Sequence, residues 1–291
     1  MDVLFPVEIA SWDGPFSAEV QTGTCDALEG GKVLFFPGLG FGFEEQERRL
    51  LTPDVSDGKA KNVSLKPGGG LRGTSCTGAD VHLLEQMMER FATTAMRFMG
   101  KLIPPYADHL ERARTSYRPV EIAGRAASAI HDDTRLHIDA FPSRPMRGRR
   151  ILRLFTNVNP AGAPREWHVG EPFEDMARRF LPAAREGSRL RAWLLGITGI
   201  TRETRSPYDG LMLGLHDGAK LDEDYQRNSP RADIPFPASS TWVCYTDQVM
   251  HAALAGQFVL EQTFHLDVDA MAAPERSPLR TLERPKGHAL V

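Results

Sequence analysis

Apolar residues recur at helical spacing over one long segment of the chain. Leu83, Leu84, Met87, Met88, Phe91, Met96, Phe98 and Met99 lie mostly three or four residues apart, the stripe by which an amphipathic helix faces a core. Asp80 is placed to cap this helix, and Gly100 with Pro104 and Pro105 interrupts or ends it, because proline cannot continue the hydrogen-bond ladder. A second short helix is expected over 106–114. A third, amphipathic helix is expected over 174–189, with Met176, Phe180 and Leu181 inward.

Elsewhere the pattern is that of short strands between turns. One strand-like run, 32–36, closes on Pro37-Gly38 within a Gly- and Pro-rich stretch covering the first 75 residues. From about residue 117 onward, the runs 151–158, 241–245 and 257–266 read as strands rich in β-branched and aromatic residues. Short strands with turn signals between them favour a sandwich or barrel over a parallel α/β sheet. The class expected is mainly β with flanking helices, the long helix covering the outside of a sheet. The chain is read as one domain. Residues 1–75 pack on the core, 76–270 form the body, and 271–291 form a Pro- and Arg-rich tail.

Composition narrows the function classes. The 291 residues are 41% hydrophobic and 25% charged, with a formal charge of −3, the profile of a globular chain with a filled core. A surface that is basic overall and made for nucleic acid does not follow from that balance, so no nucleic-acid partner is expected. Cys25, Cys76 and Cys244 are odd in number and far apart, which argues against a disulfide scaffold and for a reducing compartment. The N-terminus lacks a basic segment before its apolar run, and the longest apolar patches, 33–43 and 193–200, are too short to span a bilayer. A cytoplasmic protein is expected.

Several familiar motifs are absent or incomplete. PGLGFGF at 37–43 follows a strand, yet Phe43 stands where the third glycine of a dinucleotide loop belongs. GGGLRG at 68–73 lacks the Gly-Lys-Ser/Thr ending of a phosphate loop. Neither a G-x-S-x-G nor an H-E-x-x-H sequence occurs.

The nine histidines are more informative. Three H-x-D pairs occur: His131/Asp133, His137/Asp139 and His265/Asp267. In an extended chain, residues i and i+2 point to one face, so such a pair offers an imidazole and a carboxylate to one ion. A second histidine from elsewhere completes a 2-His-1-carboxylate triad, which leaves coordination positions open on Fe(II). His137 and Asp139 lie in RLHIDAF, whose apolar residues alternate as in a half-buried strand. His251, between two strands, is a candidate third ligand, with His168 and His216 as rivals in polar, turn-rich surroundings. Against this stands the plain reading of three ordinary polar or core histidines.

Arginines crowd the same region. Arg144, Arg147, Arg149 and Arg150 follow the His137/Asp139 pair, and Arg118 and Arg125 precede it. A solvated basic loop is the plain reading. Arg153 differs because it sits inside a strand, where a charge needs a partner. A carboxylate of a bound 2-oxoglutarate would serve, gripped by the guanidinium fork.

Long phrases of the sequence resemble the Kdo 3-hydroxylase family: RLHIDAFPSRPM at 135–146, RRILRLFTNVNPA at 149–161, YDGLMLGLHD at 208–217, DYQ at 224–226, TDQVMHAALAGQFVLEQTFH at 246–265, and ERSPLR with LER in the tail. The likeness covers roughly residues 30–291. It implies a double-stranded β-helix (jelly roll) and Fe(II)/2-oxoglutarate/O2-dependent hydroxylation at C3 of 3-deoxy-D-manno-oct-2-ulosonic acid (Kdo) in Kdo-lipid A. It places the metal ligands on His137, Asp139 and His251. Many 2-oxoglutarate oxygenases carry an Arg or Lys some ten to fifteen residues after the distal histidine, but here that window holds Gln262 and His265. Arg153, with Gln262 and Thr134 as helpers, matches the places where JmjC-type oxygenases hold the co-substrate. Arg118, Arg125, Arg144 and Arg147 are the candidates for the anionic groups of the substrate. A lipid-bearing substrate implies peripheral contact with the cytoplasmic face of a membrane. The rival functions are another oxygenase of this class acting on an anionic small molecule, and a metal-free jelly-roll sugar-binding module.

Overall fold

The computed structural model describes residues 1–186 and 204–291. The apolar patch at 193–200 and the last residues of the helix expected over 174–189 lie outside them. In chain order the first elements are β1 (Leu4–Pro6), α1 (Ala18–Glu29), β2 (Val33–Phe36), β3 (Val63–Leu65), β4 (Leu71–Arg72) and α2 (Ala79–Leu102). Next come β5 (Glu111–Arg118), β6 (Arg150–Asn157), β7 (Arg165–Gly170) and α3 (Phe173–Phe180). Then follow α4 (Pro207–Leu221), α5 (Glu223–Asn228), β8 (Arg231–Phe236), β9 (Thr241–Tyr245), β10 (His251–Ala255), β11 (Val259–Leu266) and α6 (Pro278–Lys286).

The strands form two sheets. Eight run in the order β1-β2-β9-β6-β11-β5-β3-β4, and three in the order β10-β7-β8. All pairings are antiparallel except β1 with β2. The large sheet is covered on both faces. On one, Leu152, Leu154, Leu260 and Phe264 join Leu84, Met87, Phe91 and Phe98 of α2 in the larger core cluster. On the other, Phe155, Trp242, Cys244 and Val259 meet Trp167, Ile234 and Phe236 of the small sheet. Every residue of β11 is buried, as expected of a central strand with no solvent face.

The join between the sheets depends on stacked rings. Trp242 is fully buried and lies 4.1 Å from Phe236 at an interplanar angle of 3°, and 5.3 Å from Phe155 at 13°. Trp242→Ala is expected to cost about 3–5 kcal/mol, the usual penalty for emptying a buried aromatic site, read as a lower urea midpoint with unchanged slope. A loss under ~1 kcal/mol would show that the sheets are held together elsewhere.

Several sequence expectations change here. The segment 106–114 is not a helix: a single 3-10 turn at Pro104–Tyr106 leads into β5. Arg118, whose plain reading was a solvated basic loop, lies in β5 and turns to a buried carboxylate, Glu261. One extra residue on β5, opposite Gln262–Phe264 of β11, bulges the strand and re-aims its side chains. Residues 1–75 supply four strands and α1 rather than one strand. α1 was hidden because its sequence, AEVQTGTCDALE, has a weak apolar stripe; Ser17 caps it by accepting from the Val20 amide. Gly78, not Asp80, precedes α2, and Asp80 pairs with Arg49 instead. The helix expected over 174–189 is described as Phe173–Phe180. His168 and His216 lie in β7 and α4 rather than in turns. In the tail, Ser277 caps α6, whose Leu279 and Leu282 are buried.

Candidate active site

The residues 137–139 run extended beside the start of β10. His137 and His251 exchange both backbone hydrogen bonds, 3.0 and 2.9 Å, and the Asp139 amide donates to Thr246 O at 2.7 Å. These bonds fix the register, so His137 and Asp139, two residues apart, present their side chains together beside His251. One donor atom from each of the three lies within 4.8 Å of the others. The two imidazole centroids are 4.6 Å apart.

Both rings are oriented from behind. His137 Nδ1 donates to Arg135 O at 2.7 Å, and His251 Nδ1 donates to Val249 O at 2.9 Å. A carbonyl only accepts, so each Nδ1 carries the hydrogen and each Nε2 keeps a free lone pair. Trp167 stacks on His251 at 5.3 Å and 23°. Burial holds both imidazoles neutral by pushing their pKa below the usual histidine value, and for His137 the nearby His251 and Lys220 add to it. Burial opposes ionisation of Asp139. Arg153, then His251 and His137, outweigh it and hold that carboxyl well below the usual range. Two neutral imidazoles and one carboxylate, with a buried Asp139 Oδ2 that accepts no geometrically sound hydrogen bond, form a donor set suited to Fe(II) with positions left open.

Among the described residues this is the one histidine–carboxylate group close enough to hold an ion. His216 stands edge-on to His137 at 5.6 Å, but its Nδ1 is engaged by Asp217 at 2.8 Å. His168 turns to Asp233 at 2.6 Å.

The cavity around the group is lined by Arg118, Asp133, Arg153, Arg165, Phe155 and Trp167, besides the three donors. Arg153 is committed within the protein: it lies 2.9 Å from Asp139 Oδ2 and 3.3 Å from Glu261 Oε1. Arg118 holds Glu261 Oε2 through Nε and Nη2, at 2.9 and 2.7 Å. Arg165 is different. It is 2% exposed, donates to Gly256 O, and among the described residues has no carboxylate at ion-pair distance. Burial, then the positive charge of Arg118, pushes it down to about 9. Gly256 permits this approach: its φ is +102°, and a Cβ there would fall 2.8 Å from Pro164 O.

The other expected site residues lie outside this cavity. Gln262 points to the helix-covered face, where its Oε1 accepts from Thr115 Oγ1 at 2.7 Å. Thr134 donates to Asp132 Oδ1 at 2.7 Å. Arg125 is half-buried in a loop, away from the cavity lining. Arg144 and Arg147 line a separate basic cavity. Sequence reasoning missed Arg165, Trp167 and Glu261. The available signal was the alternation Arg165, Trp167, Val169 in REWHVG, which marks one face of a strand.

A family model described as 3-deoxy-D-manno-oct-2-ulosonic acid (Kdo) hydroxylase matches residues 11–289. No curated protein matches the chain. Among solved structures, the Kdo hydroxylase KdoO, a non-heme Fe(II) alpha-ketoglutarate dependent dioxygenase, in complex with cobalt(II), is 46% identical, with TM-score 0.97 over 100% of this chain and 98% of that one. The same enzyme in complex with alpha-ketoglutarate and Fe(III) aligns at TM-score 0.95 and 46% identity, over 99% and 97%. Its complex with succinate and Fe(III) gives 0.95 and 46%, over 100% and 98%.

Proposed function

The chain belongs to the Kdo hydroxylase family, non-heme Fe(II) and 2-oxoglutarate-dependent dioxygenases with a jelly-roll core, and from that premise we propose that it hydroxylates C3 of Kdo within Kdo-lipid A, with iron on His137, Asp139 and His251. The convergence of these three side chains within 4.8 Å carries the reading. Bound Fe(II), with 2-oxoglutarate as co-substrate, supplies the O2 activation that places one oxygen on the sugar and yields succinate and CO2.

The protein supplies orientation, charge and exclusion of water. The carbonyls of Arg135 and Val249 fix the tautomers of the two histidines, and Trp167 limits the swing of His251. Arg153 keeps Asp139 ionised and aimed. Its engagement by Asp139 and Glu261 makes it the weaker of two candidates for the far carboxylate of 2-oxoglutarate. Arg165 is better placed: it lies two residues along β7 from Trp167, about 7 Å at strand rise, and Arg118 lines the same cavity. We therefore assign that carboxylate to Arg165 in the first place, with Arg153 as the rival. The walls of Phe155, Trp167 and Val259 keep the chemistry out of bulk water.

A lipid-borne substrate makes the encounter peripheral, at the cytoplasmic face of the inner membrane. Among the described residues no helix is long and apolar enough to cross a membrane. The test is succinate release by the iron-loaded enzyme. Kdo-lipid A is expected to stimulate it and gain one oxygen in the Kdo region by mass spectrometry, while free sugars do not. Stimulation by a free small molecule but not by the glycolipid would overturn the assignment.

A further inference from the structure

A second cavity, of about 480 Å³, is separate from the catalytic one and is lined by Lys66, Arg114, Arg144, Arg147, Arg149 and His265, among others. Its charge is at odds with a chain that carries a formal −3 overall. Arg112 also contributes to the wall, and Glu111 is the one carboxylate lining it among the described residues. Arg112 is held by Glu89 at the back, and Arg149 bridges Glu111 and Asp267.

The floor of this cavity is a buried histidine. His265 is 5% exposed, and its Nε2 is buried without a hydrogen-bond partner. A buried polar atom left unpaired is costly and marks a place where a ligand or water completes the bonding. Burial first, then the positive fields of Arg149, Arg144 and Arg153, pushes His265 down to about 4. Burial disfavours a charge of either sign on the ring itself; it is the arginine and lysine side chains around it that favour an anion in the cavity.

The two cavities share one sheet face. On β11, Thr263 stands opposite Arg153 and His265 opposite Ile151. His265 is therefore about 7 Å along the strand from the level of Arg153, two residues at strand rise. A group bound at His265 would lie beyond the reacting sugar on the same molecule.

Resting on the Kdo hydroxylase reading, we propose that the Lys66–Arg114–Arg144–Arg147–Arg149–His265 cavity is a second anion subsite, which takes a phosphate monoester or carboxylate carried by the glycolipid next to the sugar that is oxidised. Arginines on several segments match the oxygens of such a group with paired donors. The subsite makes the enzyme selective for substrates carrying at least two separated anionic groups. A free Kdo sugar, with its single carboxylate, fills the catalytic side alone.

The test uses the full chain with 2-oxoglutarate saturating, so that the catalytic cavity is occupied. Inorganic phosphate titrated calorimetrically is expected to bind the wild type at one site, about tenfold more weakly in Arg144→Ala/Arg147→Ala and in Lys66→Ala on another wall, the loss expected for a charged hydrogen bond. Equal binding to wild type and variants overturns the subsite, provided melting curves show the variants folded. In turnover, the double variant is expected to raise KM for Kdo-lipid A about tenfold while kcat changes by less than about twofold. If the KM penalty vanishes on enzymatically dephosphorylated Kdo-lipid A, the occupant is a phosphate. If it persists there and vanishes on a glycolipid bearing a single Kdo, the occupant is a second carboxylate. An unchanged KM on all three overturns the proposal. A wild type that releases no succinate with any glycolipid fails the functional reading instead, and the phosphate titration still decides the subsite.

Discussion

His137→Ala is expected to abolish metal retention and, with it, glycolipid-dependent succinate release. The expectation follows from how few donors the site has. Among the described residues, only His137, Asp139 and His251 converge. Removing an outer hydrogen-bond partner of a metal ligand costs roughly 10- to 100-fold in affinity or activity, so removing a ligand costs more. The nearby His216 is not expected to substitute, because its Nδ1 is held by Asp217. Cobalt(II) titration followed by visible absorption reads the site directly, without turnover. The backbone bonds between residues 137 and 251 do not involve the side chain, so the variant should fold. Wild-type cobalt affinity in the variant would place the metal elsewhere.

The second large effect separates two arginines. Arg165→Ala is expected to raise KM for 2-oxoglutarate about 10- to 100-fold, the range for losing a charged, buried hydrogen-bond partner, with cobalt affinity little changed. Arg153→Ala is expected to do the reverse in kind. It leaves Asp139 without its cation, so metal affinity falls and KM for the co-substrate changes less. The distinction comes from geometry: Arg153 contacts Asp139 at 2.9 Å, while Arg165 lines the same cavity from β7 with no carboxylate at ion-pair distance among the described residues. Arg165→Lys should rescue poorly, since a single ammonium cannot reproduce the planar fork. A KM that rises with Arg153→Ala and not with Arg165→Ala would restore Arg153 as the co-substrate's partner.

Some of this was legible along the chain. The long helix announced itself because one face of α2 is apolar at every turn. The strands around 151–158 and 257–266 were visible because Ile151, Leu152, Leu154 and Phe155 of β6, and Val259, Leu260, Phe264 and Leu266 of β11, are strand-forming apolar residues clustered between turn signals. β5, β7 and β10 were not. Their inward positions carry Arg118, Arg165 and His251, polar residues that read as surface or loop positions until the cavity they line is known. In the same way Gln262 looked like a pocket residue, since its neighbours 260 and 264 are apolar. The sheet has two buried faces, and Gln262 belongs to the one under α2, where Thr115 satisfies it.

By itself, the sequence determined the mainly β class, the family likeness and the pairing of His137 with Asp139, because each is a property of neighbouring residues or of a long matching phrase. Only the tertiary structure showed that His251, which the family likeness had already named, meets the pair, and that Arg118 and Arg153 are both engaged by the buried Glu261. Those answers depend on strand register across 100 residues or more. A two-residue period tells which side chains share a face, but not which other strand that face will meet.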